Sequence, residues 1–241
     1  MRQMRADTLS PRARILIAAT LLAASILFWD SIVLAPVKLF VVLMHELSHG
    51  LAAVLTGGSI VRIEIDPRIG GVCLTQGGWS FVVVSSGYLG SLLLGGAILL
   101  AAQRARSAAL LAGAIGVAVL VVTLLFVRNG FGLAFGVAFG AAMIALARFL
   151  PPALVETALL YLGGMSALYA VVDVKEDLLT LQPRLTDAAI MASMTGIPAI
   201  VWGLLWSALS LLLFFVIMRQ VWRRMQAAES GRSTTHPGQS A

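Results

Sequence analysis

The sequence predicts an all-α polytopic membrane protein with six or seven transmembrane helices and a short β-hairpin after the second helix. Hydrophobic residues make up 59% of its 241 positions and charged residues only 12%, whereas soluble domains are about 45–50% apolar and about 25% charged. The mean hydropathy is correspondingly high, at +0.95. One soluble core of this size cannot bury so much apolar surface, so a membrane protein is indicated. The single cysteine, Cys73, excludes an intrachain disulfide and a cysteine-rich zinc site.

Apolar runs divide the chain into its predicted helices. They cover about residues 15–29, 33–56, 81–102, 107–127, 130–148, 153–172 and 197–218. A further short helix is predicted to begin at Asp187, after a polar segment. We expect a basic N-terminal segment at 1–14, a single multi-helix membrane domain at 15–221 and a disordered C-terminal tail at 222–241, where small polar residues occur with Pro and Gly.

A change of period after the second apolar run indicates strands. In the segment IVRIEID, residues 60–66, apolar and charged side chains alternate with the period of a β-strand. PRIGG supplies a turn and VCLTQGG fits a returning strand, so a β-hairpin is predicted at about 59–78. Backbone of this kind cannot face lipid unpaired, so we expect it at the surface or against protein.

The formal net charge of +6 lies mainly in basic segments that flank apolar runs. Anionic headgroups and topology signals explain this charge, so no nucleic-acid partner is expected. We expect the protein in the cell (inner) membrane. Basic residues favour the cytoplasm, which places the N-terminus on the cytoplasmic side. The hairpin is expected on the same side. Seven spanning helices would put the basic segment RQVWRR outside and six would put it inside, and the sequence leaves both counts open.

The second apolar run contains HELSH, an H-E-x-x-H pattern. On a helix, His45 and His49 share a face, so both imidazoles can bind one Zn²⁺ ion at about 2.0–2.1 Å. Glu46 lies beside that face, where its carboxylate can take a proton from water and return it. Ionisable residues in a membrane helix each cost roughly 2.5–3.5 kcal/mol. A polar patch that hydrogen-bonds neighbouring helices or lines a water-filled cavity would explain one histidine, but it explains poorly a histidine pair at this spacing with an acid beside it.

Two histidines leave a catalytic zinc site one protein ligand short. Asp173 in SALYAVVDVKEDLL is the acid most continuous with an apolar helix, and we predict it as the third metal ligand. Asp177 follows at i+4 and is the next candidate, and Cys73 is a further one as a thiolate. Asp187 follows Thr186 where a helix begins and is expected to act as an N-cap.

These features resemble the site-2-protease-type intramembrane zinc metalloproteases over about residues 33–180. The resemblance rests on HELSHG in a membrane helix, the glycine stop and hairpin after it, a stretch like SGYLGS, and a later membrane helix with an aspartate. It implies Zn²⁺ held by His45, His49 and Asp173, water activation by Glu46, and membrane protein substrates within the lipid bilayer. The family's distal site usually reads Leu-Asp-Gly, whereas Asp173 stands in VVDVKED.

The predicted function is an intramembrane zinc metalloprotease that hydrolyses membrane-associated proteins by metal-activated water. The hairpin would hold an unwound substrate as an added strand or cover the site as a flap, and both hypotheses stay open. One alternative is a membrane metal-binding or transport protein, which needs the ligands but no base. Another is a catalytically inactive relative that binds membrane proteins. Replacing Glu46 with Gln discriminates these classes, because only hydrolysis requires the base.

Overall fold

The computed structural model describes residues 9–68, 70–103, 105–179 and 186–233. It confirms a mostly helical membrane fold with one small antiparallel hairpin. A 3₁₀ turn at Ile32–Leu34 leads into the second helix. In chain order the elements are α1 (Pro11–Leu27), α2 (Ala35–Leu55), β1 (Ser59–Asp66), β2 (Gly70–Gln76), α3 (Ser80–Ala102), α4 (Ala105–Phe126), α5 (Gly130–Phe149), α6 (Pro152–Leu179), α7 (Asp187–Thr195) and α8 (Ala199–Ser233).

Five of the described helices are long and apolar enough to cross a membrane, which makes the chain a multi-pass membrane protein. The spans are Ile32–Leu55, Ser80–Ala102, Ala108–Phe126, Gly130–Phe149 and Ala199–Arg224. The predicted six or seven also counts two shorter helices. The apolar part of α6 is Pro152–Leu168, and α1 has 17 residues, about 25 Å of helix against a hydrocarbon core of about 30 Å.

α1 packs beside the first half of α6. Arg14 forms a buried ion pair with Glu156 at 2.6 Å, and the Ser25 hydroxyl hydrogen-bonds the Tyr161 hydroxyl at 2.6 Å. Both contacts therefore lie beside the first half of α6.

α3 and α6 pack antiparallel through small residues. The Ser166 hydroxyl donates to the Ser91 carbonyl at 2.8 Å, and a Cβ added to Gly163 would lie 3.0 Å from the backbone nitrogen of Leu99. Gly95 faces Gly163, and a Cβ on Gly95 would lie 2.5 Å from the Gly163 carbonyl oxygen. The start of α6 therefore lies beside the end of α3.

The basic ends of α1 and α8 lie at the same end of this bundle. The Arg224 guanidinium of α8 donates to the Leu100 carbonyl near the end of α3, at 2.9 Å. The ion pair of Arg14 with the start of α6 belongs to that end as well.

The base of the hairpin lies at the opposite end, where α2 ends and α3 begins. The backbone N–H of Trp79 there donates to the Thr56 hydroxyl at 2.9 Å. The base of the hairpin and the start of α1 therefore lie at opposite ends of the bundle, whereas the sequence favoured the same side for both. The physical reason is that the described contacts of α1 lie beside the first half of α6, so the chain has not reached the far end when α2 begins.

The hairpin folds back along α2. Ile60 lies against Gly50, where an added Cβ would be 2.6 Å from the Ile60 side chain. Further along, Gly71 lies against Glu46 and Val42, each 2.8 Å from its added Cβ. The hairpin thus follows α2 for about 12 Å, and its strand backbone lies against protein, as non-helical backbone at membrane depth requires.

Two helices extend beyond their predicted bounds. α6 continues through Leu179, so Asp173 lies inside a helix. α8 continues through Ser233, beyond the predicted start of the tail at residue 222, and residues 234–241 lie outside the described chain. The physical reason is helix propensity, because MRQVWRRMQAAE is rich in Arg, Met, Gln, Ala and Glu.

Candidate metal centre

α2 presents both motif histidines on one buried face, as their spacing predicts. The ring centroids of His45 and His49 are 4.8 Å apart and their planes meet at 80°. Both side chains are buried, and the helix residues before them are apolar and buried as well. The histidines therefore point into the protein and away from lipid.

The carboxylate of Asp187 completes the cluster. Its Oδ2 atom lies 3.1 Å from His45 Nε2 and 3.2 Å from His49 Nε2. One ligand atom from each of the three residues lies within 4.8 Å of the others, which makes them a group that could hold a metal ion. Two imidazole nitrogens and one carboxylate oxygen form a donor set used by catalytic zinc sites, with a fourth position left for water or substrate.

α7 begins with this aspartate. Its N-cap is Thr186, whose hydroxyl accepts a hydrogen bond from the backbone N–H of Ala189 at 3.2 Å. The N-cap role expected for Asp187 therefore belongs to Thr186, and the Asp187 carboxylate turns toward the histidines. An acidic residue in the first turn also suits the helix dipole.

An aromatic cluster seats α7 on α3 and α8. Met191 of α7 is fully buried and belongs to one hydrophobic cluster with Tyr88, Trp202 and Trp206. The Tyr88 ring in turn lies 5.0 Å from the His45 ring, edge to face. The same cluster thus contacts the short helix and one motif histidine, so it sets their relative position.

The structure brings Asp187 to the histidines, whereas the sequence led us to Asp173. The backbone of Asp173 and of Asp177 belongs to α6, but their side chains lie outside the described part of the chain. One sequence feature could have pointed to Asp187. Thr186 before it is a good N-cap, so Asp187 was not needed as a cap and was free for another role.

Cys73, the other candidate ligand, lies in β2. Burial and the neighbouring Glu46 carboxylate raise the pKa of its thiol to about 12. A metal ligand must be a thiolate, so this environment disfavours Cys73 as a ligand. It lies beside Gly50 of α2, and a Cβ on that glycine would be 3.5 Å from its Sγ.

α3 forms the wall opposite α2. The Nδ1–H of His49 donates to the Val83 carbonyl at 2.7 Å, which leaves Nε2 as the ring nitrogen that faces Asp187. Metal-bound histidines generally use the second nitrogen in this way. A Cβ on Gly87 would lie 2.5 Å from His45 Nε2 and 2.6 Å from His49 Cε1. This glycine of the SGYLGS stretch therefore leaves space that the imidazoles need.

Glu46 lies beside the histidines and faces the hairpin. It is buried, and the backbone of Cys73 hydrogen-bonds its carboxylate. Its Cγ and Oε1 atoms also lie against Gly71, where an added Cβ would be 2.8 Å from each. Strand β2 thus holds the motif glutamate next to the metal-ligand cluster.

The charge of Asp187 suits a metal ligand. Burial opposes ionisation of its carboxyl, but the neighbouring His49 and hydrogen bonds with both histidines hold its pKa below the usual range. A ligating carboxylate must be deprotonated.

Comparisons with known proteins identify one family. A family model described as Peptidase M50B-like matches residues 18–217. Searches of curated proteins and of solved structures found no match. The matched range includes α2, the hairpin, α7 and most of α8.

Proposed function

The chain belongs to the peptidase M50B-like family, and we propose that it is an intramembrane zinc metalloprotease that hydrolyses membrane-associated proteins. Membership supports a membrane metallopeptidase-type function. The observation that carries the finer proposal is the convergence of His45, His49 and Asp187, with Glu46 beside them.

We assign the metal ligands to His45, His49 and Asp187, in place of the predicted Asp173. A Zn²⁺ ion held there would polarise the scissile carbonyl and lower the pKa of a water molecule to about 7. The donor set, the Val83 carbonyl behind His49 and the space beside Gly87 all fit such an ion.

Glu46 is the proposed general base. Its carboxylate takes the proton of the attacking water and returns it to the leaving amine. The backbone of Cys73 holds one side of that carboxylate. Because the group is buried with its histidine neighbours, the proton stays within the site during the exchange.

The hairpin supports an extended substrate. Carbonyl groups of a transmembrane helix are already hydrogen-bonded, so the cleaved segment must unwind. Strand β2 pairs only with β1 among the described strands, and its other edge passes Glu46. An unwound segment added along that edge would lie beside the base. The exposed side chains of Val72 and Leu74 on β2 suit an apolar segment.

For topology we propose that the N-terminus is cytoplasmic. The basic ends of α1 and α8 share one end of the bundle, and basic residues favour the cytoplasm. The base of the hairpin would then lie on the opposite side. Labelling an introduced cysteine at exposed Ser59, at the base of the hairpin, with a membrane-impermeant reagent in intact cells tests this, because only an extracytoplasmic base reacts.

The proposed function is tested with purified protein in liposomes. The probe is a panel of single-span fusion proteins whose apolar segments contain a helix-destabilising Asn-Pro or Gly-Gly pair. We expect stoichiometric zinc by elemental mass spectrometry and cleavage within the apolar segment. Glu46→Gln should keep the zinc and lower cleavage by about 10²- to 10⁴-fold.

Two results would contradict the proposal. Bound zinc with full biological activity in Glu46→Gln would indicate a metal-binding or transport protein. Unchanged biological activity in both His45→Ala and Glu46→Gln would indicate a catalytically inactive relative.

A further inference from the structure

Asn129 precedes α5 as its N-cap, but its side chain does not cap that helix. Asparagine at this position usually accepts a hydrogen bond from the first turn. Here Oδ1 accepts from the backbone N–H of Ile65 at 3.1 Å, and Nδ2 donates to the Ile65 carbonyl at 2.7 Å. The amide therefore satisfies both backbone groups of one residue in β1.

The residues before Asn129 continue this contact along β1. The backbone N–H of Arg128 donates to the Ile63 carbonyl at 3.1 Å, and Val127 forms a parallel bridge with Ile63. The turn between α4 and α5 thus covers the outer edge of β1, as a third strand would.

The register of the hairpin links the residues that Asn129 and Arg128 bind on β1 to residues of β2 beside Glu46. Ile65 lies opposite Gly71, and Ile63 lies opposite Cys73. In an antiparallel pair, a residue whose backbone N–H and C=O point away from the partner strand lies opposite a residue whose N–H and C=O also point away. Gly71 and Cys73 are the two β2 residues that meet Glu46.

We propose that Asn129 is a positioning residue that sets the hairpin, and through it Glu46, relative to the metal-ligand cluster. This consequence for catalysis rests on the proposed function. The amide is needed because Ile65 requires one acceptor and one donor from the same side chain. The site is closely fitted, since a Cβ on Gly132 would lie 2.5 Å from Asn129 Oδ1.

The test compares Asn129→Ala with Arg128→Ala in the full chain. Arg128→Ala is the control for the other polar side chain of this turn. It removes the guanidinium hydrogen bonds to carbonyls at the end of α4 and keeps the backbone hydrogen bond to Ile63 on the hairpin. Asn129→Asp is a second variant that keeps the acceptor for the Ile65 N–H and loses the donor. The readouts are zinc content, kcat and KM on the fusion-protein probe, and the rate at which iodoacetamide alkylates Cys73.

We expect Asn129→Ala to keep its zinc while kcat falls about 10- to 100-fold. Cys73 should be alkylated about tenfold faster, because the hairpin opens from α2 more often. Asn129→Asp should be intermediate, and Arg128→Ala should match the wild type in all readouts.

Two outcomes would overturn the inference. Wild-type alkylation of Cys73 in both Asn129 variants would mean that Asn129 does not hold the hairpin. Faster alkylation with an unchanged kcat would mean that the hairpin does not position Glu46. The alkylation contrast needs no proteolysis, so a protein that cleaves nothing but keeps this contrast would refute the proposed function and still support the anchor.

Discussion

The two halves of the metal centre are built in different ways. α2 has 21 residues, packs on α3 and the hairpin, and supplies His45, Glu46 and His49 from one helical turn. α7 has nine residues and supplies Asp187 alone. The Thr186 cap and the aromatic cluster under Met191 are its principal supports among the described residues.

This difference separates local from tertiary control of the site. The relative position of the α2 groups follows from helix geometry, which fixes any pair at i and i+4. The position of Asp187 follows from how α7 packs on α3 and α8. Substitutions in α2 should therefore remove a function outright, whereas substitutions under α7 should weaken it by degrees.

The largest effect is expected for His49→Ala, which breaks the α2 half. It removes one imidazole ligand and the contact with the Val83 carbonyl. Zinc content and cleavage should both fall to background, measured by elemental mass spectrometry and the liposome assay. Retained stoichiometric zinc would exclude His49 from the metal site.

The second-largest effect is expected for Asp187→Ala, which removes the ligand supplied by the α7 half. Zinc affinity should fall by more than the roughly 10- to 100-fold caused by losing an outer partner of a metal ligand. Asp173→Ala is the matched control, and competition with a chelator measures both. If Asp173→Ala loses zinc and Asp187→Ala keeps it, the original sequence-based prediction is right.

Gly87→Ala tests the α3 wall between the two halves. Its Cβ would meet both imidazoles, so we expect weaker zinc binding with the membrane fold retained. Gly113→Ala in α4 is the control, because its nearest added contact is 3.8 Å away. Circular dichroism and zinc titration distinguish a site defect from unfolding, and equal zinc affinity in both variants would contradict the close fit.

Met191→Ala tests the aromatic seat. Met191 is fully buried, whereas Met194 on the same helix is 46% exposed and provides a matched Met→Ala control. We expect Met191→Ala to weaken zinc binding about 10- to 100-fold through displacement of Asp187, with Met194→Ala near the wild type. Equal affinities would show that the seat does not position Asp187.

The smallest effect concerns the pH dependence beside α2. Since the pKa of Cys73 is raised to about 12, the folded thiol keeps its proton where an unfolded thiol, with a pKa near 8.5, loses it. Folding stability should therefore be unaffected below about pH 8.5 and decline between there and about pH 12. Thermal unfolding of the wild type and Cys73→Ser across this range measures the difference, and parallel curves would contradict the raised pKa.

Much of the fold could be predicted because its signals are local. Apolar runs gave the helices, and alternation in IVRIEID gave the hairpin, which the structure confirms at Ser59–Asp66 and Gly70–Gln76. The end of the bundle at which the hairpin begins could not be predicted in this way, because it depends on how far α1 carries the chain along α6. The contacts between α1 and α6, among them a buried ion pair, join residues far apart in the chain.

The sequence by itself determined the α2 half of the site, because helical spacing places His45 and His49 on one face with Glu46 beside it. Only the tertiary structure decided which carboxylate meets them. Asp187 begins a short helix and Asp173 follows an apolar helical run. Local helix propensity therefore does not show which of the two acids meets the histidines. The cluster that Met191 shares with Tyr88 and Trp206 seats α7 on α3 and α8, where Asp187 lies within 3.2 Å of both imidazoles.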